Sequence, residues 1–329
     1  MGYVIGRSRV YGQASAGHMK TAGGNDMSII ETQKKIRSLL NDRNAILLAH
    51  HYQRDEVQDI ADILGDSLAL SMEAAETTAD VIVFAGVRFM AESASILSPD
   101  KTVLLPRLDV GCPLADKITV EELKKAKAEN PDAKVVTYVN SSAETKAHSD
   151  ICCTSTNVVR IVNSLDTDTV MMVPDGNLAS YAAQFTEKKI IPWKGFCYVH
   201  HNLSPEEVQK VQNNNPGVPF AAHPECRAEV LAMADFVGST AAILKFVSQS
   251  DAQKVIIGTE QGIMHQLKKE SPDKSFIPAS DNLICRDMKR MTLDDILNSL
   301  LEMKHVITVP EEIRVPANLA LSRMLEASK

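Results

Sequence analysis

Three of the six cysteines occupy equivalent places in a repeated phrase. Each follows a lysine, a short apolar run, a proline and a polar loop, in KTVLLPRLDVGC, KKIIPWKGFC and KSFIPASDNLIC, which end at Cys112, Cys197 and Cys285. Similar units can close around a pseudo-threefold axis, and features at the same place in each unit would then meet. Three converging thiolates favour soft metals, because sulfur ligands select zinc, copper(I) or an iron–sulfur cluster.

The wide spacing of these cysteines distinguishes between the possible kinds of metal centre. They lie 85 and 88 residues apart with no C-x-x-C pair, which disfavours zinc ribbons and ferredoxin-type sites. We expect a 4Fe-4S cluster, which on three cysteines leaves one iron free to bind substrate oxygen or nitrogen as a Lewis acid. A zinc ion with His200 as a fourth ligand, or three buried structural thiols, are the alternatives. Cys152, Cys153 and Cys226 lack counterparts in all copies and receive no role.

The elements that would carry the three cysteines are also repeated. Pro106, Pro192 and Pro278 are 86 residues apart in both intervals, the mark of an internal repeat. Each copy begins with an apolar strand that ends in polar residues, AILLAHHY, VVTYVNSS or PFAAHPEC, and continues to a buried β-branched run, VIVFAG, TVMMVPDG or VIIGTEQG. Alternating strands and helices predict an α/β protein of three homologous αβα units, with small parallel sheets arranged around a pseudo-threefold axis.

The helix after the first strand is predicted from apolar spacing. Val57, Ile60, Ala61 and Leu64 fall at i, i+3, i+4 and i+7, which is typical of one buried helical stripe. In each copy this helix would end at a second repeated phrase, ADILGDS, SDICCTS or ADFVGST. Each unit is therefore expected to run strand, helix, strand, helix, strand.

The repeat also predicts the domain organisation. The three units are expected at 27–112, 113–197 and 198–290. Residues 1–26 are rich in Gly, Ala and Ser without periodicity, which predicts a flexible N-terminal extension. Two C-terminal helices within 291–329 are expected to pack on the first unit.

Polar residues follow the strands of all three copies. Because ligands collect at the carboxyl ends of parallel strands, we expect a shared polar rim. Its members are His50, Tyr52, Ser67, Tyr138, Asn140, Ser155, His223, Glu225, Ser239 and Thr240. Histidines suit proton transfer near neutral pH, and hydroxyls beside helix starts can hold carboxylate or phosphate oxygens. The alternative is that these are ordinary loop or N-cap residues.

Composition excludes some partners. The formal net charge of -7 argues against nucleic acid and against an anionic membrane surface, because both partners need concentrated Lys and Arg. There is no apolar run of about 18 residues and no secretory leader pattern, so we expect no membrane association and a cytoplasmic protein. Any acidic substrate must therefore be held by local groups.

The motifs LAHHYQRDEVQDIADILGDSL, VTYVNSSAE, CCTSTN, HPEC, DFVGST and GTEQGIMH, with the three cysteines in order, resemble those of the quinolinate synthase family. The resemblance runs from Ile46 to Met288. It implies a pseudo-threefold α/β enzyme with one central 4Fe-4S cluster in NAD biosynthesis. It also implies the condensation of iminoaspartate with dihydroxyacetone phosphate to quinolinate, with release of inorganic phosphate and two waters. The L-aspartate oxidase or dehydrogenase that supplies iminoaspartate is then a candidate protein partner.

The resemblance also implies roles for individual residues. Cys112, Cys197 and Cys285 match the cluster ligands, and Tyr52 matches the catalytic tyrosine. The matched substrate-binding positions are His50, Ser67, Tyr138, Asn140, Ser155, His223, Glu225 and Thr240. We expect Tyr52 and Glu225 to handle protons, with His50 and His223 as further candidates, because condensation and dehydration need both removal and delivery of protons.

Other three-cysteine cluster proteins are the rival interpretations. A diphthamide-synthesis protein or the terminal reductase of isoprenoid synthesis shares the geometry but lacks HHYQ, VNSSAE and HPEC. A non-catalytic iron–sulfur sensor would expose an apolar or basic patch, whereas a polar rim predicts a small-molecule pocket.

Overall fold

Three parallel sheets of four strands form the framework of the protein. The computed structural model of the chain describes residues 28–329, so the predicted flexible extension at 1–26 lies outside the described residues. The strands are β1 (Ala45–His50), β2 (Ile63–Gly65), β3 (Val81–Ala85), β4 (Thr102–Leu104), β5 (Lys134–Tyr138), β6 (Ile151–Cys153), β7 (Thr169–Val173), β8 (Lys189–Pro192), β9 (Phe220–Ala222), β10 (Phe236–Val237), β11 (Lys254–Gly258) and β12 (Ser275–Pro278).

All three sheets have the same strand order. The orders are β2-β1-β3-β4, β6-β5-β7-β8 and β10-β9-β11-β12, and every pairing within them is parallel. The predicted α/β class with three small parallel sheets is therefore confirmed. One sheet falls inside each predicted unit, while the unit boundaries and the pseudo-threefold axis stay predictions.

Helices connect the strands and close the chain. They are α1 (Ile29–Asp42), α2 (Asp55–Gln58), α3 (Ser67–Glu76), α4 (Arg88–Leu97), α5 (Val120–Glu129), α6 (Ala143–Ala147), α7 (Val158–Ser164), α8 (Gly176–Ala182), α9 (Tyr198–His201), α10 (Pro205–Asn214), α11 (Ala228–Leu231), α12 (Thr240–Gln249), α13 (Ile263–Glu270), α14 (Arg286–Arg290), α15 (Leu293–Glu302) and α16 (Glu311–Ser328). Two 3-10 turns lie at Ala115–Lys117 and Ala183–Phe185. Among the described residues, no helix combines the length and the apolar character needed to cross a membrane.

The same aspartate contact recurs in every sheet. The carboxylates of Asp62, Asp150 and Asp235 each accept a hydrogen bond of 2.8 Å from a backbone N–H of the first strand of their own sheet. The backbone N–H of each aspartate also donates to the carbonyl of that same strand residue. Each aspartate directly precedes the edge strand, so this two-way contact fixes where the edge strand begins. Its recurrence supports a repeated unit.

The helix predicted over 57–64 is wrong. The helix ends at Gln58, and the short strand β2 pairs with Leu48–His50. Ile60 is buried as expected, but it lies in the connection before the strand. Apolar spacing over so few residues also fits a short edge strand, and here the contact of Asp62 with β1 selects the strand. Each unit therefore has four strands rather than three.

The closing helices differ from each other in what they cover. α15 begins at the N-cap Thr292 and lies against α1 of the first unit, as expected. The last helix, α16, lies mainly against α6, β6 and α7 of the second unit and also contacts α4. Arg323 Nη1 donates to the carbonyl of Asp150 at 2.7 Å, and the Asn157 amide donates to Ser328 Oγ at 2.8 Å. α16 therefore packs on the second unit as well as on the first, and the division of the chain into units stays a prediction.

We expect the shared aspartate contact to contribute measurably to stability. Asp235→Ala should lower the free energy of unfolding by about 1–3 kcal/mol, because the fully buried N–H of Phe220 then lacks an acceptor. Denaturant unfolding monitored by circular dichroism gives the difference. The control Asp251→Ala changes an exposed aspartate of the same unit and should stay within about 0.5 kcal/mol of the parent. Equal losses in both variants would contradict the assignment.

Candidate active site

One cavity is lined by side chains from all three predicted units. The space between its lining residues is about 720 Å³, open solvent at its mouth included. Every residue that the sequence proposes as a ligand, a substrate-binding residue or a catalytic residue lines it. These are His50, Tyr52, Ser67, Cys112, Tyr138, Asn140, Ser155, Cys197, His223, Glu225, Thr240 and Cys285. The structure thus brings the candidates together, while the role of each stays a prediction.

The ends of the first strands deliver the ring side chains. His50 ends β1, Tyr138 ends β5, and His223 directly follows β9, as the strand-end rule predicts. Turns then replace the extended segments that we expected. Tyr52 N–H donates to His50 Nδ1 at 3.1 Å, and Glu225 N–H donates to His223 Nδ1 at 3.3 Å, so the first and third units use the same turn. In both histidines Nδ1 is an acceptor, which leaves Nε2 to carry the ring proton.

The hydroxyl candidates lie at helix starts but do not cap the helices. Ser67 and Thr240 are the first residues of α3 and α12, and Ser155 lies just before α7. The side-chain caps of α3 and α12 are Asp66 and Ser239. The N-cap interpretation therefore holds for Ser239 and fails for Ser67 and Thr240. The Ser67 hydroxyl therefore remains available for contacts inside the cavity, whereas Thr240 Oγ1 lies 2.7 Å from Tyr52 Oη.

A buried hydrogen-bonded chain joins two of the proposed proton-handling residues. Tyr52 Oη lies 2.6 Å from Thr259 Oγ1, which lies 2.9 Å from His200 Nε2. His200 Nδ1 lies 2.7 Å from Glu225 Oε2. All four side chains are buried, Thr259 completely. With Nδ1–H facing Glu225, Nε2 accepts from the Thr259 hydroxyl, which accepts from the Tyr52 phenol.

Burial sets the protonation states around this chain. Burial alone would raise the pKa of Glu225, but the hydrogen bond and charge of His200 lower it to about 2. Burial lowers the pKa of His223 to about 3 and that of His50 well below its ordinary value. Burial raises the pKa of Tyr52 well above its ordinary value. At neutral pH the cavity therefore presents a carboxylate, a phenol and two neutral imidazoles.

Two of these functional residues escaped the sequence analysis. Thr259 directly follows β11, so the strand-end rule would have found it had it been applied to the buried β-branched run of each unit, which is the third strand. His200 was considered only as a zinc ligand. Its Nε2 lies 2.9 Å from Thr259 Oγ1, whereas its Nδ1 lies 2.7 Å from Glu225 Oε2 but makes no well-aligned hydrogen bond among the described residues.

The three cysteines form the other part of the cavity. All are free and half-buried. Burial and, to a smaller extent, the neighbouring Cys285 raise the pKa of Cys112 to about 12. Burial likewise raises the pKa of Cys197 well above its ordinary value, and Cys112 adds to that shift. Three neighbouring thiols fit the donor set of a soft metal or a cluster, which needs them deprotonated. The thiol of Cys197 also lies within 4.8 Å of ligand atoms of His200 and Glu225.

The fold and cavity define a three-unit α/β protein with one shared small-molecule site whose thiols could hold a metal. Residues 34–326 match the family model described as Quinolinate synthetase A protein. The chain is 57% identical over 296 residues to the quinolinate synthase of Geobacter sp. (strain M21), which covers 90% of this chain and 97% of that protein. It is 55% identical over 292 residues to quinolinate synthase 1 of Methanosarcina acetivorans, with 89% and 96% covered. The chain therefore belongs to the quinolinate synthetase A family of enzymes, which confirms the resemblance and sets aside the rival families.

The accessibility of the thiols predicts their reactivity. In the metal-free protein the three cavity cysteines should react with iodoacetamide before the fully buried ones do. Burial raises the pKa of Cys285 to about 11 and that of Cys112 to about 12, so their labelling rate should rise about tenfold per pH unit from about pH 7 to pH 10. Mass spectrometry of tryptic peptides assigns the labels, and denatured protein serves as the control with all six cysteines modified. Uniform labelling of the folded chain would contradict the assignment.

Proposed function

We propose that this chain condenses iminoaspartate with dihydroxyacetone phosphate to quinolinate, with release of inorganic phosphate and two waters. The carbon atoms of the two substrates together account for those of quinolinate. The observation that carries the proposal is the single cavity that combines three free thiols with the buried chain from Tyr52 to Glu225. Its relatives named quinolinate synthase support it.

We propose that Cys112, Cys197 and Cys285 hold a 4Fe-4S cluster. When bound, such a cluster supplies a Lewis-acidic iron that no cysteine ligates. The three free thiols line the same cavity, which supports this assignment.

Hydroxyl and imidazole donors would bind the acidic substrates. Ser67 and Ser155 line the cavity and would offer hydroxyl donors to carboxylate and phosphate oxygens. The Thr240 hydroxyl donates to Tyr52 Oη and would accept from a substrate donor. The protonated Nε2 atoms of His50 and His223 add neutral donors. Asn140 Oδ1 and Glu225 Oε1 are buried acceptors without a hydrogen-bond partner among the described residues, so substrate donors would satisfy them.

The chain from Tyr52 to Glu225 would move protons during condensation and dehydration. The Tyr52 phenol can donate to Thr259, and Thr259 can donate to His200. The Glu225 carboxylate stabilises the imidazolium that forms when His200 takes this proton. Tyr52 can thus act as a base toward a substrate proton and return that proton to a departing hydroxyl.

Supply of the substrate defines a functional partner. Iminoaspartate arises by oxidation of L-aspartate, so an L-aspartate oxidase or dehydrogenase would act before this enzyme. We propose the cytoplasm as the shared compartment.

Removal of one proposed ligand should remove the centre and the activity together. Cys197→Ala, purified without oxygen, should lose most iron, sulfide and visible absorbance and should form no quinolinate from the two substrates. Cys152→Ala is the matched control, because this cysteine is fully buried in β6 and does not line the cavity. A cluster-free Cys197→Ala variant with parental activity would defeat the assignment.

Interruption of the proton chain should lower the rate of chemistry. Thr259→Val keeps the side-chain volume but removes the hydroxyl between Tyr52 and His200, so kcat should fall by roughly 100-fold while iron and sulfide contents stay parental. Thr259→Ser restores the hydroxyl and should recover most of the loss. Steady-state assays of quinolinate formation measure both variants. Parental kcat in the valine variant would show that the chain carries no proton in the rate-limiting step.

A further inference from the structure

Buried carboxylates hold the backbones of two cluster-ligand candidates. The backbone N–H of Cys197 donates to Asp175 Oδ2 at 3.1 Å, and that of Cys285 donates to Glu260 Oε1 at 3.0 Å. Asp175 is 2% exposed and Glu260 is fully buried. Both carboxylates lie two residues beyond the third strand of their sheets, β7 and β11. They are therefore equivalent parts of the repeat.

The second oxygens of the two carboxylates have different partners. Asp175 Oδ1 accepts from the backbone N–H of Leu178 and caps α8 within its own unit. Glu260 Oε2 accepts from the backbone N–H of Gly262 at 2.6 Å and from Lys289 Nζ at 3.2 Å. Only the third-unit carboxylate therefore carries an ion pair.

Lys289 extends this contact into the first unit. Its Nζ donates to the backbone carbonyl of Tyr52 at 2.6 Å and to that of Gln53 at 3.3 Å. A continuous set of hydrogen bonds thus runs from the N–H of Cys285 through Glu260 and Lys289 to Tyr52. The phenol of the same tyrosine begins the proton chain.

The junction has little freedom to relax. A Cβ atom on Gly262 would lie 2.6 Å from Lys289 Nζ and 2.8 Å from both Glu260 Oε2 and the carbonyl of His51. On the other side, the buried amide of Gln58 donates to the carbonyls of His51 and Gly262 at 3.0 Å and 2.9 Å. The turn that carries the tyrosine is thus held against the third unit from two directions.

The short helix α14 also contacts a second ligand segment. It begins directly after Cys285 and carries Lys289. Asp287 Oδ1 of the same helix accepts from the backbone N–H of Gly111 at 3.2 Å, next to Cys112. A change in the position of α14 would therefore reach two ligand segments and the tyrosine turn together.

The geometry points to Glu260 and Lys289 as positioning residues that couple the thiol centre to the catalytic tyrosine. A metal or cluster bound to the three thiols fixes the position of the segment that carries Cys285. Glu260 and Lys289 then hold the turn of Tyr52 in place against that segment. The inference rests on the proposed function only where it treats Tyr52 as a catalytic residue. The coupling itself concerns only the three thiols and the turn that carries Tyr52. An empty centre would therefore leave the tyrosine turn less well held.

Hydrogen exchange on the full chain tests the coupling without any assay of activity. Metal-free protein is compared with protein saturated with Cd²⁺, which binds thiolates whether or not the native centre is a cluster. In the parent, Cd²⁺ should slow amide exchange within 50–54 about tenfold or more. Lys289→Met should bind Cd²⁺ with the parental thiolate absorbance but lose this slowing, and Lys289→Arg should restore part of it.

The matched control is Asp175→Asn, which alters the equivalent carboxylate that has no link to Tyr52. It should keep the slowing at 50–54 once Cd²⁺ is saturating, whereas Glu260→Gln should lose it. For the cluster-loaded enzyme, Lys289→Met should lower kcat about 10-fold to 100-fold with KM little changed. The coupling is overturned if Cd²⁺ leaves exchange at 50–54 unchanged in the parent, or slows it equally in Lys289→Met. A parent that forms no quinolinate would instead overturn the proposed function.

Discussion

Every charged group buried at the centre of this protein must have a partner, and this requirement fixes how the units meet. Glu225 is paired with His200, and Glu260 with Lys289. An unpaired charge buried this deeply would cost several kcal/mol. Arrangements of the units that leave these charges unpaired are therefore excluded. The first unit joins this network through Tyr52, whose hydroxyl and carbonyl both bond to the third unit. The cavity that carries the candidate residues is therefore also the place where the first and third units are held together.

The sequence predicts the parts of this site that the repeat marks three times. The equivalent positions of the three cysteines in the repeat, together with the polar strand ends, pointed to twelve candidates, and all twelve line one cavity. Features that occur once escaped it, since Thr259 and the link through Lys289 depend on contacts across roughly 200 residues of chain. The wrong helix over 57–64 had another cause, because one carboxylate bond from Asp62 turns an ambiguous apolar segment into an edge strand. Local spacing carries no information on that bond.

Divergence among the repeats explains how one scaffold supports three different roles. The position two residues beyond the third strand holds Val87, Asp175 and Glu260 in the three units. In the first unit Val87 provides no carboxylate at this position. The segment before Cys112 instead donates a hydrogen bond to Asp287 of the third unit. In the second unit the carboxylate serves its own helix, and in the third it reaches Lys289. The repeat thus supplies three equivalent positions for the thiols. Differences at single positions make the third unit the one whose residues hold the turn of Tyr52.

The same pairing explains how a chain of formal charge -7 can accept acidic substrates. The carboxylates on the cavity wall are already engaged: Asp66 by N–H groups of α3 and the Thr156 hydroxyl, Glu225 by His200, and Glu260 by Lys289. Neutral donors remain for the substrate, namely the serine hydroxyls and the imidazole N–H groups. Recognition by aimed neutral donors depends on geometry more than on long-range attraction, which salt screens. Binding of an acid in such a cavity therefore follows from the positions of its hydrogen-bond donors, and those positions are set by the strand ends and helix starts of the three sheets.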